Sequence, residues 1–216
     1  MQLGGFRGIV ARFYFPVIGA LLFALAVIGF SDNLFTDPGQ PSNRDPKFII
    51  HGLFALAWFG LIAVQPALVA RGKVGTHRRL GRFGAVAAAG LVLTTAWLQT
   101  LHYLRNDGLS GIALINSIAI AAFALCVAAA IANRHRPELH KRLMMIGTFL
   151  VLEPLSSRAA GHMGLVPVLF GPLVWLGLFA SLIARDRIVL GRFTRLPLAG
   201  LAFLIAVLVL VPVEPA

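Results

Sequence analysis

The chain has little of what a water-soluble domain needs. Charged residues make up 12% of its 216 positions, about half the roughly 25% of soluble domains, too few to cover a surface in water. It holds one cysteine, Cys126, inside an apolar run. That excludes a disulfide framework and reads as a buried structural thiol. No paired Cys-x-x-Cys motifs occur, which removes iron–sulfur clusters and structural zinc of that kind. No glycine-rich loop leads into a phosphate-binding cation, and no His-Glu-x-x-His is present, so nucleotide hydrolysis and the common metalloprotease chemistry are excluded. Glu153 is the only carboxylate well inside an apolar run, which leaves a proton-relay pump or ion-coupled carrier poorly equipped.

Apolar residues are what the chain has in abundance. They make up 58% of it, at a mean hydropathy of +0.85. A helix needs roughly 20 apolar residues to cross about 30 Å of hydrocarbon. Seven runs meet that need, at about 12–31, 47–70, 80–104, 111–133, 141–161, 165–184 and 196–213. The expectation is an all-α integral membrane protein, a single transmembrane domain folded as a seven-helix bundle. Asp45 and Pro46 in "RDPKFIIH" predict a capped start for the second run. Thr76 and Pro137 predict earlier, interfacial starts for the third and fifth. The first run continues past Ala26 without a small-residue cleavage site and so reads as a span rather than a signal peptide. The longest connection, 32–47, is polar and rich in turn formers.

The net charge of +11 is distributed in short clusters between apolar runs, not along a face that would bind nucleic acid. If seven spans alternate, the N-terminal segment and the 2–3, 4–5 and 6–7 connections share one side and total +13, while the opposite connections total −2. The positive-inside rule then predicts a cytoplasmic N-terminus and an outer C-terminus. Its cationic loops would lie against anionic lipid head groups. A membrane-protein partner or a second copy of the chain is left open.

Two stretches echo each other: "GTHRRLGRFG" at 75–84 and "ELHKRLMMIG" at 138–147. His77 and His140 lie 63 residues apart, each followed by two cations and a leucine. Both stretches open a helix on the basic side, which predicts a parallel repeat of the helix pairs 2–3 and 4–5. One account of the cations is structural, since Arg and Lys at a helix mouth snorkel to head groups. Gln65, His77, Arg78, Leu80 and Gly81, with His140, Arg142, Met144 and Arg158, resemble the pattern of a family of bacterial multipass membrane proteins of unknown function. The resemblance covers roughly residues 48–162. It implies an architecture and a place in a bacterial inner membrane, and no established activity. More remotely, histidines on a small helical bundle resemble the layout of di-haem cytochrome b proteins.

Polar residues inside the runs point to a candidate site. An Arg at mid-span costs about 2.5–3.5 kcal/mol on insertion scales and so faces a partner or a wet cavity. Arg158 and His162 share one helix face, Glu153 and Ser157 another, and Thr95, Gln99 and His102 a third. Asn116 and Ser117 lie in span 4. His51, His102 and His162 come from three helices toward the outer side, and the 63-residue offset sets His162 against Gln99. Two imidazoles could clamp haem b with Arg158 near a propionate. Three could hold a divalent metal such as copper or zinc. A His, Gln and Arg set could hold quinone carbonyls. The expected function is a redox or electron-transfer membrane protein with such a cofactor in its outer half. The alternative is a small transport, sensor or accessory protein with a polar cavity. His77, His135 and His140 lie in polar segments, where histidine needs no functional explanation.

Overall fold

A computed structural model describes residues 5–211. The described residues form eight α-helices: α1 Gly5–Gly29, α2 Pro46–Ala70, α3 Val74–Asn106, α4 Gly111–Ala132, α5 Pro137–Leu150, α6 Glu153–His162, α7 Pro167–Leu190 and α8 Arg195–Leu210. Between α1 and α2 lie a π-helical turn, Asp32–Thr36, and a 3₁₀ turn, Pro41–Arg44. The protein is an all-α membrane bundle. Helices α1, α2, α3, α4 and α7 are each long and apolar enough to cross a bilayer, and α5 with α6 adds a sixth span if the pair counts as one. Helix α8 has 16 residues, short of the roughly 20 that a crossing takes. The last stretch of the seventh expected run, beyond 211, lies outside the described residues.

Local chemistry explains the helix starts. The Asp45 carboxylate accepts a hydrogen bond from the Lys47 N–H, with Pro46 in the first turn of α2, where its missing N–H costs nothing. Ser110 caps α4 through the Ala113 N–H. Helix α3 begins at Val74 and runs for 33 residues, about 50 Å at 1.5 Å per residue, so it overshoots the hydrocarbon thickness.

The fifth run is where the structure departs from the expected straight helix. It breaks at Val151–Leu152, and α5 and α6 meet at 57°. Pro154 explains the break: its ring lacks an N–H and would collide with the carbonyl four residues back. The helix restarts with Ser156 N–H donating to the Leu152 carbonyl at 2.8 Å. Non-helical backbone at membrane depth is tolerated where protein or a cavity surrounds it, and Leu152 is fully buried.

The broken span is also the most interior part of the bundle. Every residue from Met145 to Leu150 is buried. Phe149 packs edge-on against Phe179 of α7, and Trp58 of α2 against Phe123 of α4, the geometry that aromatic quadrupoles favour. Trp175 donates its indole N–H to the Phe149 carbonyl at 2.6 Å. Helices α1 and α2 approach closely at Gly19, where a Cβ would come within 2.3 Å of the Ile62 carbonyl oxygen. Close backbone approach through a small residue is how helices associate when lipid offers no hydrophobic drive. Leu93, Leu125, Val168 and Leu173 point outward and suit a lipid surface.

Candidate functional site

The polar side chains of the membrane region sort into two groups at one end of the bundle and an ionic network at the other. A cavity of about 210 Å³ lies between α2, α3, α4 and the α5–α6 bend. Its walls include Phe30, Phe59, Leu91, Leu98, Ile120 and Leu155, with Val151 and Pro154 contributed by the helix break. Four polar side chains line it: His51, Thr95, Gln99 and Asn116. An apolar enclosure with a few convergent polar groups is the usual form of a small-molecule site.

Each polar wall residue has a traceable hydrogen bond. His51 Nδ1 lies 3.0 Å from Thr94 Oγ1, and that hydroxyl is 2.7 Å from the Gly90 carbonyl, to which it donates. Thr95 donates to the Leu91 carbonyl at 2.8 Å. Gln99 Nε2 donates to the Ala113 carbonyl at 2.9 Å, and Asn116 Nδ2 donates to Glu153 Oε2 at 3.2 Å. Glu153 also accepts from Ser157 Oγ at 2.8 Å.

The second group is a clasp between α6 and the connection that follows α1. Arg158 Nη2 lies 2.7 Å from both Asp32 carboxylate oxygens and 2.8 Å from Asn33 Oδ1. Its Nε donates to the Gly29 carbonyl at 2.9 Å, and its guanidinium sits 5.0 Å from the Phe30 ring centroid. His162 Nε2 is 3.4 Å from Asp32 Oδ1. Burial alone would raise the Asp32 carboxyl, but Arg158 and the Asn33 backbone N–H outweigh it and hold the group below the ordinary aspartate value. Asn33 continues the clasp by donating to Ser42 Oγ and Asn43 Oδ1, at 3.0 and 2.8 Å, which orders the polar connection.

The expected site residues are therefore divided. His51 and Gln99 share the cavity, Arg158 and His162 share Asp32, and His102 contacts Asn106 on its own helix at 3.4 Å. Among the described residues no three His, Cys, Asp or Glu side chains are grouped to hold a metal ion, so the three histidines do not form the expected ligand set. Haem fits no better, because His51 is the only histidine in the cavity wall. A cavity of about 150 Å³ holds benzene, so a single substituted ring fits within 210 Å³. Arg158 has Asp32 where a propionate was expected. Sequence reasoning counted Asp32 as a loop charge; its place just past the end of span 1 was the available signal. Asn116 and Thr95 were visible as intramembrane polar residues but had nothing to tie them to His51.

At the opposite end, the basic end, the repeated motifs are in contact with the fold. With its carboxamide oriented to satisfy both ends, Gln65 donates to His77 Nδ1 and to the His77 carbonyl and accepts from the Gly81 N–H at 2.9 Å. His140 Nδ1 contacts the Ala130 carbonyl at 2.8 Å. Arg142 reaches Asp186 through Nε and Nη2, at 2.6 and 2.8 Å. Arg185 reaches Asp186 and Glu138, both at 2.9 Å. Arg142, Arg185 and Asp186 are all buried. No family model, no curated protein and no solved structure matches the chain.

Proposed function

We propose that this chain is a seven-span bacterial inner-membrane protein that binds a single-ring, membrane-soluble compound of the quinone class in the cavity at the α5–α6 bend. The observation that carries this reading is the cavity itself: a ring-sized apolar enclosure where His51, Thr95, Gln99 and Asn116 converge beside a broken helix. Broken helices in membrane proteins place irregular backbone where it lines a binding cavity. A single quinone-class ring suits the cavity volume and its neutral polar wall.

Orientation follows from charge. The basic end carries Arg71, Lys73, Arg78, Arg79, Arg82, Arg134 and Arg136, all exposed, so it faces the cytoplasm and its anionic head groups. The N-terminus is then cytoplasmic, α8 is the seventh crossing, and the cavity lies in the outer half. The α2–α3 and α4–α6 pairs run in parallel as a repeat, in keeping with the family resemblance carried by Gln65, His77 and His140. In this reading the protein holds a ring exchanged with the membrane quinone pool, and a partner protein carries the redox centre that takes or supplies its electrons.

A second reading shares the cavity and dispenses with redox chemistry: a transport, sensor or accessory protein whose ligand is another ring compound. The helix break at the cavity favours it equally. The two separate by titration in nanodiscs. Methyl-substituted benzoquinone and hydroquinone should bind saturably by calorimetry, and Ala119→Phe, which fills the cavity, should abolish the binding. No saturable binding of either ring, or undiminished binding to Ala119→Phe, would overturn the quinone assignment. A visible spectrum with a Soret band would overturn it in favour of haem.

A further inference from the structure

The hydrogen-bonding state of the cavity wall says which kind of ring it takes. Thr94 Oγ1 has one proton, and the Gly90 carbonyl at 2.7 Å accepts it. The His51 contact at 3.0 Å must then run the other way, with Nδ1–H donating to Thr94 Oγ1. Neutral His51 therefore keeps a bare lone pair on Nε2, and among the described residues nothing donates to it. The amides are fixed by the same reasoning. Reversing Gln99 would set its oxygen against the Ala113 carbonyl, and reversing Asn116 would set its oxygen against Glu153. So Gln99 Oε1 and Asn116 Oδ1 are left as acceptors, and among the described residues neither receives a hydrogen bond. Thr95 likewise sends its proton to Leu91 and retains lone pairs.

All four polar wall residues thus leave acceptor capacity over; Gln99 and Asn116 each also keep a second amide N–H, whereas neutral His51 and Thr95 have acceptors alone. We infer that the cavity selects a neutral ring that donates hydrogen bonds, a hydroxylated ring of the hydroquinone kind, over the carbonyl form of the same ring. A carbonyl oxygen could take the remaining N–H of Gln99 or Asn116 but would leave the His51 Nε2 lone pair unpaired, which is costly out of water. An ammonium ligand would also donate. The lining residues carry no charge, however, and Glu153 is not among them, so a cation there would be desolvated without a counter-ion. The inference rests on the ring-binding reading of the cavity and adds the polarity of the ligand.

The test compares three probes of one shape: methylhydroquinone, its dimethyl ether and methylbenzoquinone. Each is titrated calorimetrically, without oxygen, into the full chain in nanodiscs. A Cys126→Ala background prevents alkylation of the thiol by the quinone. One neutral hydrogen bond is worth roughly two- to tenfold in binding, so the hydroquinone should bind about two- to tenfold tighter than either other probe. His51→Phe removes the Nε2 acceptor and should weaken the hydroquinone while leaving the ether unchanged. Thr94→Val removes the acceptor that fixes the His51 tautomer and should narrow the preference between hydroquinone and quinone. Equal or tighter binding of the quinone or the ether overturns the inference while the cavity reading survives. Binding of none of the three overturns both.

Discussion

The two copies of the histidine–cation motif differ in what their second cation meets. At the 63-residue offset Arg79 corresponds to Arg142. Arg79 is exposed on α3, whereas Arg142 is buried on α5 against Asp186 of α7. Glu138, which pairs with Lys141, Arg142 and Arg185, has Gly75 as its counterpart in the first copy. One motif therefore does two jobs. The first copy is fastened through its histidine to Gln65 of α2, and its cations are left for head groups. The second has the acid and the α7 partners that let its cations enter the protein. The same offset explains the shapes of the two helices: Pro154, which breaks the second, stands where the first has Leu91. Further along, Thr95 and Gln99 in the cavity wall stand where the second has Arg158 and His162. Helix α3 turns these residues to the cavity, and α6 turns its own to the Asp32 clasp.

The sharpest way to break this contrast is at Asp186. Asp186→Ala would leave Arg142 and Arg185 buried with only the half-exposed Glu138 for a carboxylate, and removing one partner of a buried ion pair costs up to about 3–5 kcal/mol. Unfolding in mixed detergent should show that loss, and Arg142→Ala should cost less because Arg185 still satisfies Asp186. Equal stability of Asp186→Ala and the parent would mean the network is not buried as described. Next in size is Gln65→Ala, which removes the three contacts holding α3 to α2 at the first copy. At net values near 1 kcal/mol for a typical hydrogen bond, about 1–2 kcal/mol is expected. His140→Ala removes one contact and should cost less than Gln65→Ala.

What could be read without coordinates follows from what each signal depends on. Class, helix number within one or two, and the starts at Pro46 and Pro137 rest on composition and capping, which act locally. The bend had a local signal too, in Pro154, but a 20-residue apolar window averages a single proline away. The site was legible as a list of polar intramembrane residues and not as a grouping. Depth along a helix follows from residue number, whereas which helix faces which depends on packing. His51, His102 and His162 were placed together on depth alone, and the bundle sends them to three different neighbours. Asp32 was misread for the converse reason: it lies outside the apolar run that it serves.

The clasp gives a smaller, pH-dependent test of the same contrast, because Arg158 belongs to the second pair alone. The folded Asp32 carboxyl titrates below its ordinary value, near 3.9 in an unfolded chain. Its contribution is therefore fully present above about pH 4 and is lost as pH falls through the lower folded value. Asp32→Asn should lower the unfolding midpoint slightly at neutral pH, by about 1 kcal/mol or less for a partly exposed pair. The difference from the parent should vanish in acid. A constant difference down to pH 2 would assign the effect to packing and not to charge.

The smallest effect belongs to Arg79. It is exposed and, among the described residues, has no carboxylate partner, so Arg79→Ala should leave the unfolding midpoint where it is in neutral detergent. Its contribution is expected only where anionic lipid is present, at about 1 kcal/mol per cation near the surface. In nanodiscs of mixed composition, Arg78→Ala with Arg79→Ala should reduce the enrichment of anionic lipid around the protein, and salt should erase the difference. The same exchange made at Lys141 and Arg142 should unfold the protein before it changes the lipid shell. If instead the two double variants behaved alike, the burial of the second copy would count for nothing energetically, and both motifs would be head-group anchors.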